Sequence, residues 1–294
     1  GVGSVDVGSN PECLKEGTAL DDFLSPDRLI IGVRSQKAKD LLNYVYEPLV
    51  RTQNPLLFMD PLSAEMSKYA SHAFLATRVS FMNEMSRLCQ EIGADIDAVR
   101  QGMGSDKRIG PDFLFPGVGY GGSCFPKDIS ALRHMGESRG IPMELVGAVD
   151  AVNARQKRIV QGRVKATLGD NLSGVTIAIW GLSFKPGTDD MREAPSLVII
   201  EDLLAAGATI RAYDPIAMEV AEGHLGDRIY FADTNYDALK GADALIVVTE
   251  WNEFRRPDFK RIKALMTGTL IIDGRNVLDP QSVRSSGFHY MCIG

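Results

Sequence analysis

The feature that most restricts the fold is an alternation of short apolar runs and helical segments after Gly174. The runs are "VTIAIW", "TIRAYD", "ALIVVT" and "TLIID", and segments such as "SLVIIEDLLAAG" separate them. Apolar strands that alternate with helices are typical of a doubly wound parallel sheet. We therefore expect an α/β protein in which residues 168–294 form a Rossmann-like domain. Ligands of such sheets bind at the carboxyl ends of the strands, which directs attention to the loops at residues 181–192, 214–215, 250–251 and 273–276.

A second constraint is one long helix in the middle of the chain. Asp60 supplies a cap and Pro61 a first-turn proline, and apolar residues then recur at helical spacing to about Gly93. At 1.5 Å per residue such a helix is about 50 Å long, which suits a spine between two domains or a dimer seam. The sequence stays mostly helical to residue 167, apart from one glycine-rich stretch. We assign residues 61–167 to a central helical dimerisation domain that contains a cysteine loop.

The first 60 residues contain too little sheet to stand alone. They predict an opening strand, a polar loop, a second strand at residues 28–33, an amphipathic helix capped by Ser35, and a short strand in "PLLFMD". Neither "GVGSVDVG" at the start nor "GVGYGGS" farther along lies between a strand and a helix, so neither meets the context of a dinucleotide fingerprint. We expect residues 1–60 to be the last part of a dinucleotide-binding domain whose glycine loop is absent from this sequence.

Composition argues against several functions. Lys and Arg number 32 against 38 Asp and Glu, a net charge of −6, so no overall basic field attracts nucleic acid or an anionic membrane. No apolar run approaches the roughly 18 residues of a membrane span. The four cysteines are scattered without a C-x-x-C pair, and the four histidines form no ligand-spaced group. We therefore expect a reducing, cytoplasmic setting, no membrane and no metal site.

The stretch "GYGGSCFPKD" makes Cys124 a candidate nucleophile. A lone cysteine is by itself more often a small buried side chain. Here glycines surround the approach to the thiol, and Lys127 and Asp128 follow closely enough to favour the thiolate and to handle a proton. A thiolate attacks an aldehyde carbon to give a thiohemiacetal, which loses hydride and leaves a thioester for water to cleave. The sequence therefore favours oxidation of an aldehyde to an acid.

Two further pairs of residues indicate a function only when they are considered together with that thiol. Lys68 and His72 lie four residues apart and share a helix face, about 5–6 Å apart at Cβ, although solvated surface residues show the same spacing. Glu12 and Glu16 follow the "SNP" turn. They are either a general base and hydroxyl acceptors for a sugar, or a charged loop face.

The stretch "WGLSFKPGTDDMREAPS" leaves a strand through a glycine turn and enters a helix. It carries Lys185 and Arg192, and a glycine turn between a strand and a helix is an arrangement that binds phosphates. Its glycines do not follow the dinucleotide pattern, so it predicts an anion site of another kind.

Five stretches together carry a resemblance. They are "SNPECLKEG", "SAEMSKYASHAFLATRVSFMNE", "RIGPDFLFPGVGYGGSCFPKD", "GLSFKPGTDDMREAPS" and "IDGRN", and they extend over essentially the whole chain. On these motifs the sequence resembles the UDP-glucose 6-dehydrogenases of the nucleotide-sugar 6-dehydrogenase family. The resemblance implies an amino-terminal NAD-binding Rossmann domain, of which this chain keeps the last part, a long central helix at a homodimer interface, and a carboxyl-terminal UDP-binding domain.

The resemblance also implies NAD-dependent, four-electron oxidation of UDP-glucose to UDP-glucuronate. Cys124 would form the thiohemiacetal and thioester, Lys68 would stabilise the oxyanion, Asp128 would help to activate water and Glu16 would assist hydrolysis, with His72 completing the catalytic set. Arg108 would reach the neighbouring site across the dimer. The implied substrate contacts are Glu12, Cys13, Leu14, Lys15, Glu16, Lys68, Arg108, Phe115, Pro116, Gly117, Val118, Gly119, Tyr120, Gly121, Phe184, Lys185 and Arg275. The implied NAD contacts are Glu16, Cys124, Lys127 and Arg192.

Two residues depart from the family pattern. Cys13 stands where the family's proline-glutamate-phenylalanine-leucine has its aromatic residue, and His72 stands where an asparagine is usual. An asparagine donates and accepts without changing charge, whereas a histidine titrates near neutral pH, so we expect an altered pH profile. The missing glycine loop predicts that this chain alone transfers no hydride.

Two alternatives stay open. The chain is a UDP-sugar-binding and dimerisation module without catalysis, or it belongs to a 6-dehydrogenase that acts on GDP-mannose or a UDP-N-acetylhexosamine. NADH production separates the first alternative from an enzyme. "GYGGSCFPKD", in place of a histidine-bearing variant before the cysteine, favours UDP-glucose over the second.

Overall fold

The structure, a computed structural model, describes residues 5–12, 14–50 and 55–294. The chain divides into two units, Gly1–Phe74 and Leu75–Gly294. The sequence-based boundaries at residues 60 and 167 divide the chain differently and stay predictions.

The sheet of the first unit is a parallel pair of strands. β1 (Leu29–Gly32) pairs with β2 (Leu56–Met59), and both strands were expected from the sequence. Gly32 is required because a Cβ there would lie 2.5 Å from the Cα of Pro61. The strand expected at the start is wrong for residues 5–8, which are irregular. Ser9, which follows them, forms an isolated antiparallel bridge with Gly32 rather than a longer ladder. Residues 1–4 of that expected strand lie outside the described residues.

Two helices accompany this pair of strands. α2 (Gln36–Tyr46) confirms the predicted amphipathic helix, and the Ser35 hydroxyl accepts a hydrogen bond from the Ala38 amide at 3.1 Å as its cap. The polar loop expected before β1 instead contains a short helix, α1 (Ala19–Leu24). Two aspartates in its first turn favour the helix because they oppose its positive end.

The long helix is confirmed as α3 (Pro61–Ile92), which begins in the first unit and ends in the second. The Asp60 carboxylate accepts from the Ser63 amide at 3.0 Å, so Asp60 caps the helix as its sequence position predicted. The helices that follow in the second unit are α4 (Ile96–Gly104), α5 (Phe125–Glu137), α6 (Glu144–Gln156) and α7 (Ile159–Leu168).

The remainder of the second unit is built on a parallel sheet of six strands. The strands are β3 (Thr176–Trp180), β4 (Thr209–Tyr213), β5 (Tyr230–Phe231), β6 (Ala244–Val247), β7 (Leu270–Asp273) and β8 (His289–Cys292). Their order is β5-β4-β3-β6-β7-β8, which is the doubly wound arrangement. The predicted strands are confirmed as β3, β4, β6 and β7. β5 has two residues and β8 lacks an apolar run, so their sequences gave no comparable signal.

Both faces of this sheet are buried. The connecting helices are α8 (Pro195–Ala205), α9 (Met218–Leu225), α10 (Asn235–Ala238), α11 (Phe259–Leu265) and α12 (Pro280–Ser285). Ile177 and Ile179 of β3 belong to a core cluster with Ile199 of α8, whereas Ala178 and Trp180 belong to a second cluster. Because alternate residues of a strand face opposite sides, this double burial explains the continuous apolar runs in the sequence.

No helix within the described ranges is both long enough and apolar enough to cross a bilayer.

Candidate active site

The sheet order reverses between β3 and β6, and a doubly wound sheet binds ligands at that point. Gly181 follows β3 with φ +94°, and a Cβ there would lie 2.6 Å from the Thr249 amide nitrogen. Only glycine permits both this backbone conformation and this close approach. The loop after β3 and the loop after β6 therefore meet at the carboxyl edge.

Asp214 joins three of the loops at this edge. Its side chain is buried, and one oxygen accepts from the amides of Leu182 at 2.8 Å and Ser183 at 3.1 Å, and from the Trp251 indole at 3.0 Å. The other oxygen accepts from the amides of Ile216 and Ala217 at 3.0 and 2.9 Å. Because a buried carboxylate is costly unless hydrogen-bonded, this shared acceptor favours one arrangement of the loops.

Cys124 stands at the N-cap of α5, at the end of a glycine collar that we define as residues 117–122. Its sulfur is half-buried and lies 3.6 Å from the Ser123 hydroxyl oxygen. The Asp128 amide donates to the Cys124 carbonyl at 2.9 Å, which begins the helix there. The positive end of a helix stabilises an anion in its first turn, as nucleophilic attack by a thiolate requires.

Lys127 and Asp128 lie on the first turn of α5 beside the thiol. The Asp128 side chain is buried, and the Lys127 ammonium lies 3.6 Å from its carboxylate. Lys127 itself is 67% exposed, so this pair is open to solvent on one side. The predicted grouping of a thiol, a cation and an anion is thus present within one helical turn.

The collar packs closely against the loop that follows β3. A Cβ at Gly121 would lie 2.4 Å from the Glu193 carbonyl oxygen, and one at Gly122 would lie 2.8 Å from the Phe184 ring. The Gly122 amide also donates to the Arg192 carbonyl at 2.8 Å. The structure therefore brings the thiol loop and the predicted phosphate-binding loop together at the carboxyl edge of the sheet.

Arg275 adds a fixed positive charge to this edge. Its Nε donates to the Val248 carbonyl at 2.8 Å and lies 3.2 Å from a Glu250 carboxylate oxygen, and its Nη2 donates to the Phe184 carbonyl at 3.3 Å. A Cβ at Gly117 would lie 2.9 Å from its Nη1, so the collar and the guanidinium are in contact. The Lys185 ammonium lies 5.4 Å from the centre of the Phe184 ring.

Arg192 makes a bidentate pair within its own loop. Its Nε and Nη2 each donate to the Asp190 carboxylate at 2.9 Å, and its side chain is 65% exposed. The guanidinium that was expected to meet NAD is thus accessible and paired with a neighbouring carboxylate.

The first unit holds a separate group of predicted residues. The Lys68 ammonium donates to a Glu12 carboxylate oxygen at 2.8 Å, and the Leu14 amide donates to the other at 2.8 Å. Partial burial alone would raise the pKa of Glu12. The hydrogen bonds from Lys68 and Leu14, with the charges of Lys68 and His72, outweigh burial and hold that pKa below its usual range. Glu12 therefore stays ionised to lower pH than an ordinary glutamate.

Other predicted substrate contacts of the first unit surround this pair. Glu12, Leu14 and Lys15 line a cavity of about 240 Å³, and Lys15 forms an ion pair with Asp22 at 3.2 Å. Glu16 is half-buried. Cys13 lies outside the described residues.

The remaining predicted contacts of the second unit differ in exposure. Arg108 lies on the surface and pairs with Asp106 at 2.6 Å, whereas Phe115 is 61% exposed beneath the Arg100 guanidinium. Pro116, Val118, Gly119 and Tyr120 are buried. Val118 belongs to the main core cluster, so its side chain is part of the core.

Tyr120 has a buried hydroxyl without a hydrogen-bond partner among the described residues. Burial, and then the negative charge of Asp150, raise the pKa of this phenol. It is therefore neutral near physiological pH.

Several residues that shape the site were not found from the sequence. The loops of Asp214 and Trp251 were expected at the edge of the sheet, but their shared hydrogen bonds were not. Asn83, Asn153 and Gln156 contact the collar from α3 and α6 and carry no local motif. Within the described residues, no group of three or more His, Cys, Asp or Glu side chains is placed to hold a metal ion.

Three protein-family models match the chain. They describe the central domain, the UDP binding domain and the NAD binding domain of the UDP-glucose/GDP-mannose dehydrogenase family, at residues 62–155, 178–280 and 2–50. A UDP-glucose 6-dehydrogenase of Pseudomonas aeruginosa is 49% identical over 99% of this chain, which spans 65% of that protein's length. One from Rhizobium meliloti is 44% identical over 99% of this chain and 67% of its own length.

Solved structures agree with these matches. A UDP-glucose dehydrogenase of Pyrobaculum islandicum aligns with a TM-score of 0.89 at 38% identity, over 97% of this chain and 63% of its own. A UDP-N-acetylmannosamine dehydrogenase of Pyrococcus horikoshii aligns with a TM-score of 0.82 at 25% identity, over 98% of this chain and 64% of its own.

Proposed function

This chain belongs to the UDP-glucose/GDP-mannose dehydrogenase family, and from that premise we propose that it carries the sugar-nucleotide site and the nucleophile of an NAD-dependent UDP-glucose 6-dehydrogenase. The observation that carries the proposal is the position of Cys124. The thiol begins a helix at the end of a glycine collar, and that collar packs on the loops at the switch point of a doubly wound sheet.

The preference for UDP-glucose rests on similarity. The chain is 49% and 44% identical to two UDP-glucose 6-dehydrogenases, against 25% to the structure of the UDP-N-acetylmannosamine enzyme. Oxidation of GDP-mannose or of a UDP-N-acetylhexosamine remains the alternative, which a comparison of kcat/KM for the three substrates decides.

The chain's residues account for the acyl chemistry. NAD⁺, when bound, accepts hydride in each of two oxidations, from alcohol to aldehyde and from thiohemiacetal to thioester. The Cys124 thiolate forms a bond to the C6 aldehyde carbon, and the carbonyl electron pair moves onto oxygen. After the second oxidation, water adds to the thioester carbon, the carbon–sulfur bond breaks, and the thiolate leaves as the carboxylate forms. Asp128 accepts the proton of that water, and Lys68 and Glu16 keep the oxyanion and hydrolysis roles that the resemblance gives them.

The described residues fit one edge of an NAD site. Arg192 presents an exposed guanidinium, which suits a pyrophosphate. The turn between β1 and α2 runs through Val33 and Ser35 without the glycines of a dinucleotide loop. We therefore propose Arg192, and not the turn after β1, as a contact of the NAD pyrophosphate.

Substitution of the thiol tests the proposal. In the complete gene product, Cys124→Ser should lower UDP-glucuronate formation at least about a thousandfold, because the alkoxide nucleophile is far harder to form and to expel. UDP-glucose affinity, measured by calorimetry, should change little. Cys292→Ser is the matched control, since that thiol is also half-buried and lies elsewhere in the second unit.

The outcomes separate the competing functions. Undiminished glucuronate formation by Cys124→Ser would contradict the proposed nucleophile. Binding of UDP-glucose without NADH formation by the unsubstituted gene product would instead favour a UDP-sugar-binding module.

Two further expectations belong to the same proposal. A homodimer through α3 is supported by exposed apolar side chains on that helix, including Phe81, Leu88 and Ile92. A cytoplasmic location is supported by the free thiols of Cys89, Cys124 and Cys292.

A further inference from the structure

The glycine collar is buried although it is neither helix nor strand. Every residue from 116 to 122 is buried, and none has a regular backbone ladder. Buried N–H and C=O groups are costly when unpaired, so another part of the molecule must supply hydrogen bonds to this segment. The partners that it finds decide its conformation.

One amide side chain pairs both polar groups of Tyr120. The Asn153 Oδ1 accepts from the Tyr120 amide at 2.8 Å, and its Nδ2 donates to the Tyr120 carbonyl at 3.1 Å. This is the two-bond exchange that a neighbouring antiparallel strand would provide. Asn153 thus takes the place of a neighbouring strand where Tyr120 passes α6.

Two further amides pair the other end of the collar in the same way. The Asn83 Oδ1 accepts from the Gly117 amide at 2.8 Å, and the Gln156 Nε2 donates to the Gly117 carbonyl at 2.7 Å. The three side chains are 0%, 5% and 3% exposed for Asn83, Asn153 and Gln156. Because they project from α3 and α6, they hold the collar to two helices.

The collar leads from these three amides directly to the thiol. Beyond Tyr120 the chain passes Gly121 and Gly122, which lie against the Glu193 backbone and the Phe184 ring, and then reaches Cys124. A Cβ at Gly119 would lie 2.9 Å from the Asn153 Oδ1, so the collar and this amide are in direct contact.

We propose that Asn153, together with Gln156 and Asn83, is a positioning residue that fixes the collar backbone and through it the approach of Cys124 to the sugar. The inference rests on the proposed function. It assigns a role to residues whose side-chain amides bond the backbone of the collar.

The substitution Asn153→Asp tests this role because it makes one hydrogen bond depend on pH. A protonated carboxyl group accepts from the Tyr120 amide and donates to the Tyr120 carbonyl, as the amide does, whereas a carboxylate cannot donate and repels that carbonyl. Burial raises the pKa of an introduced carboxyl. Charged groups beside Gly119 and Tyr120 include Lys157, which pairs with Glu193 at 3.2 Å, and Asp150, which pairs with Arg133 at 3.3 Å.

We expect kcat/KM for UDP-glucose, taken as a ratio to the unsubstituted protein at each pH, to fall at least about tenfold at about pH 9 and to recover most of that loss at about pH 6. Gln156→Glu, which faces the Gly117 carbonyl, should likewise lower kcat/KM at about pH 9 and recover at about pH 6. Asn153→Ala should be impaired at both pH values, because it has no group to protonate. Asn171→Asp is the matched control, since that amide caps an exposed turn through one bond from the Ser173 amide at 3.0 Å.

Hydrogen exchange of the Tyr120 amide gives a readout that needs no activity. In Asn153→Asp, repulsion between the carboxylate and the Tyr120 carbonyl should loosen the whole collar, although the carboxylate can still accept from the Tyr120 amide. The protection of this amide should therefore rise as pH falls, relative to the control variant. Equal activity ratios at both pH values in both carboxyl variants would overturn the positioning role, and so would lost protection at Tyr120 with unchanged activity. Failure of the proposed function would appear differently, as absence of turnover in the unsubstituted protein while the pH-dependent protection persists.

Discussion

At position 72 this chain has a histidine, whereas the family usually has an asparagine there. His72 lies one turn after Lys68 on α3, and its charge contributes to the lowered pKa of Glu12. Because that pKa is depressed, the stabilising contribution of ionised Glu12 is present above the ordinary pKa of a glutamate and is lost as pH falls through the lowered value. Glu12 is therefore a carboxylate near neutral pH, where it accepts from the Lys68 ammonium at 2.8 Å.

The substitution His72→Asn should remove a pH dependence from the reaction. We expect the rate of thioester hydrolysis in the complete gene product to vary between about pH 6 and pH 8 with the histidine and to become nearly flat with the asparagine, because an amide does not titrate. Single-turnover release of UDP-glucuronate across that range measures the effect. The control is His134→Asn, since His134 lies in the last turn of α5 in the second unit. Identical pH–rate profiles for the His72→Asn variant and the unsubstituted protein would show that His72 takes no part in the hydrolysis.

The glycine collar is an element whose shape depends on the absence of side chains. Gly121 permits a backbone approach that any Cβ would block, since the Glu193 carbonyl oxygen would lie 2.4 Å away. Gly122 adds a φ of +84°, which side-chain-bearing residues rarely adopt. The spacing of glycines was visible in the sequence, but their neighbours are far along the chain.

Gly121→Ala should therefore destabilise the protein, whereas a glycine-to-alanine change inside a helix should stabilise it. We expect Gly121→Ala to lower the free energy of unfolding by about 1–3 kcal/mol through the forced backbone shift, and to reduce turnover with it. Gly162→Ala, in α7 with no atom within 4 Å of the added Cβ, should raise the free energy of unfolding by about 0.5–1 kcal/mol. Chemical denaturation of both variants provides the measurement. Equal stability changes of the same sign would contradict the close packing of the collar.

At the scale of the whole molecule, α3 leaves large apolar side chains exposed. Phe81, Leu88 and Ile92 are 44%, 52% and 67% exposed, and their spacing of seven and four residues places them on one face of the helix. Single exposed apolar residues are ordinary, but a row of them along one helix face favours association. A second copy of this helix is the partner that the dimer proposal requires.

The double substitution Phe81→Glu with Leu88→Glu should weaken the proposed homodimer. Loss of two apolar contacts per protomer and burial of charges should raise the dissociation constant at least about a hundredfold. Sedimentation velocity across a concentration series measures it, and Ile216→Glu, an exposed apolar residue after β4, is the control. A dimer of unchanged affinity would show that this face of α3 is not the interface.

The sequence by itself determined the local elements and the chemistry that they carry. The four β-branched runs, the cap at Asp60 and the position of Cys124 before a helix are written in neighbouring residues, because strand and helix patterns repeat over a few positions. Only the tertiary structure decided which distant groups pair. Asn83 and Gly117 are 34 residues apart, and Asp214 and Trp251 are 37 residues apart. The partner of a buried backbone group or carboxylate depends on which segments the fold brings within hydrogen-bond distance, and no local pattern encodes that choice.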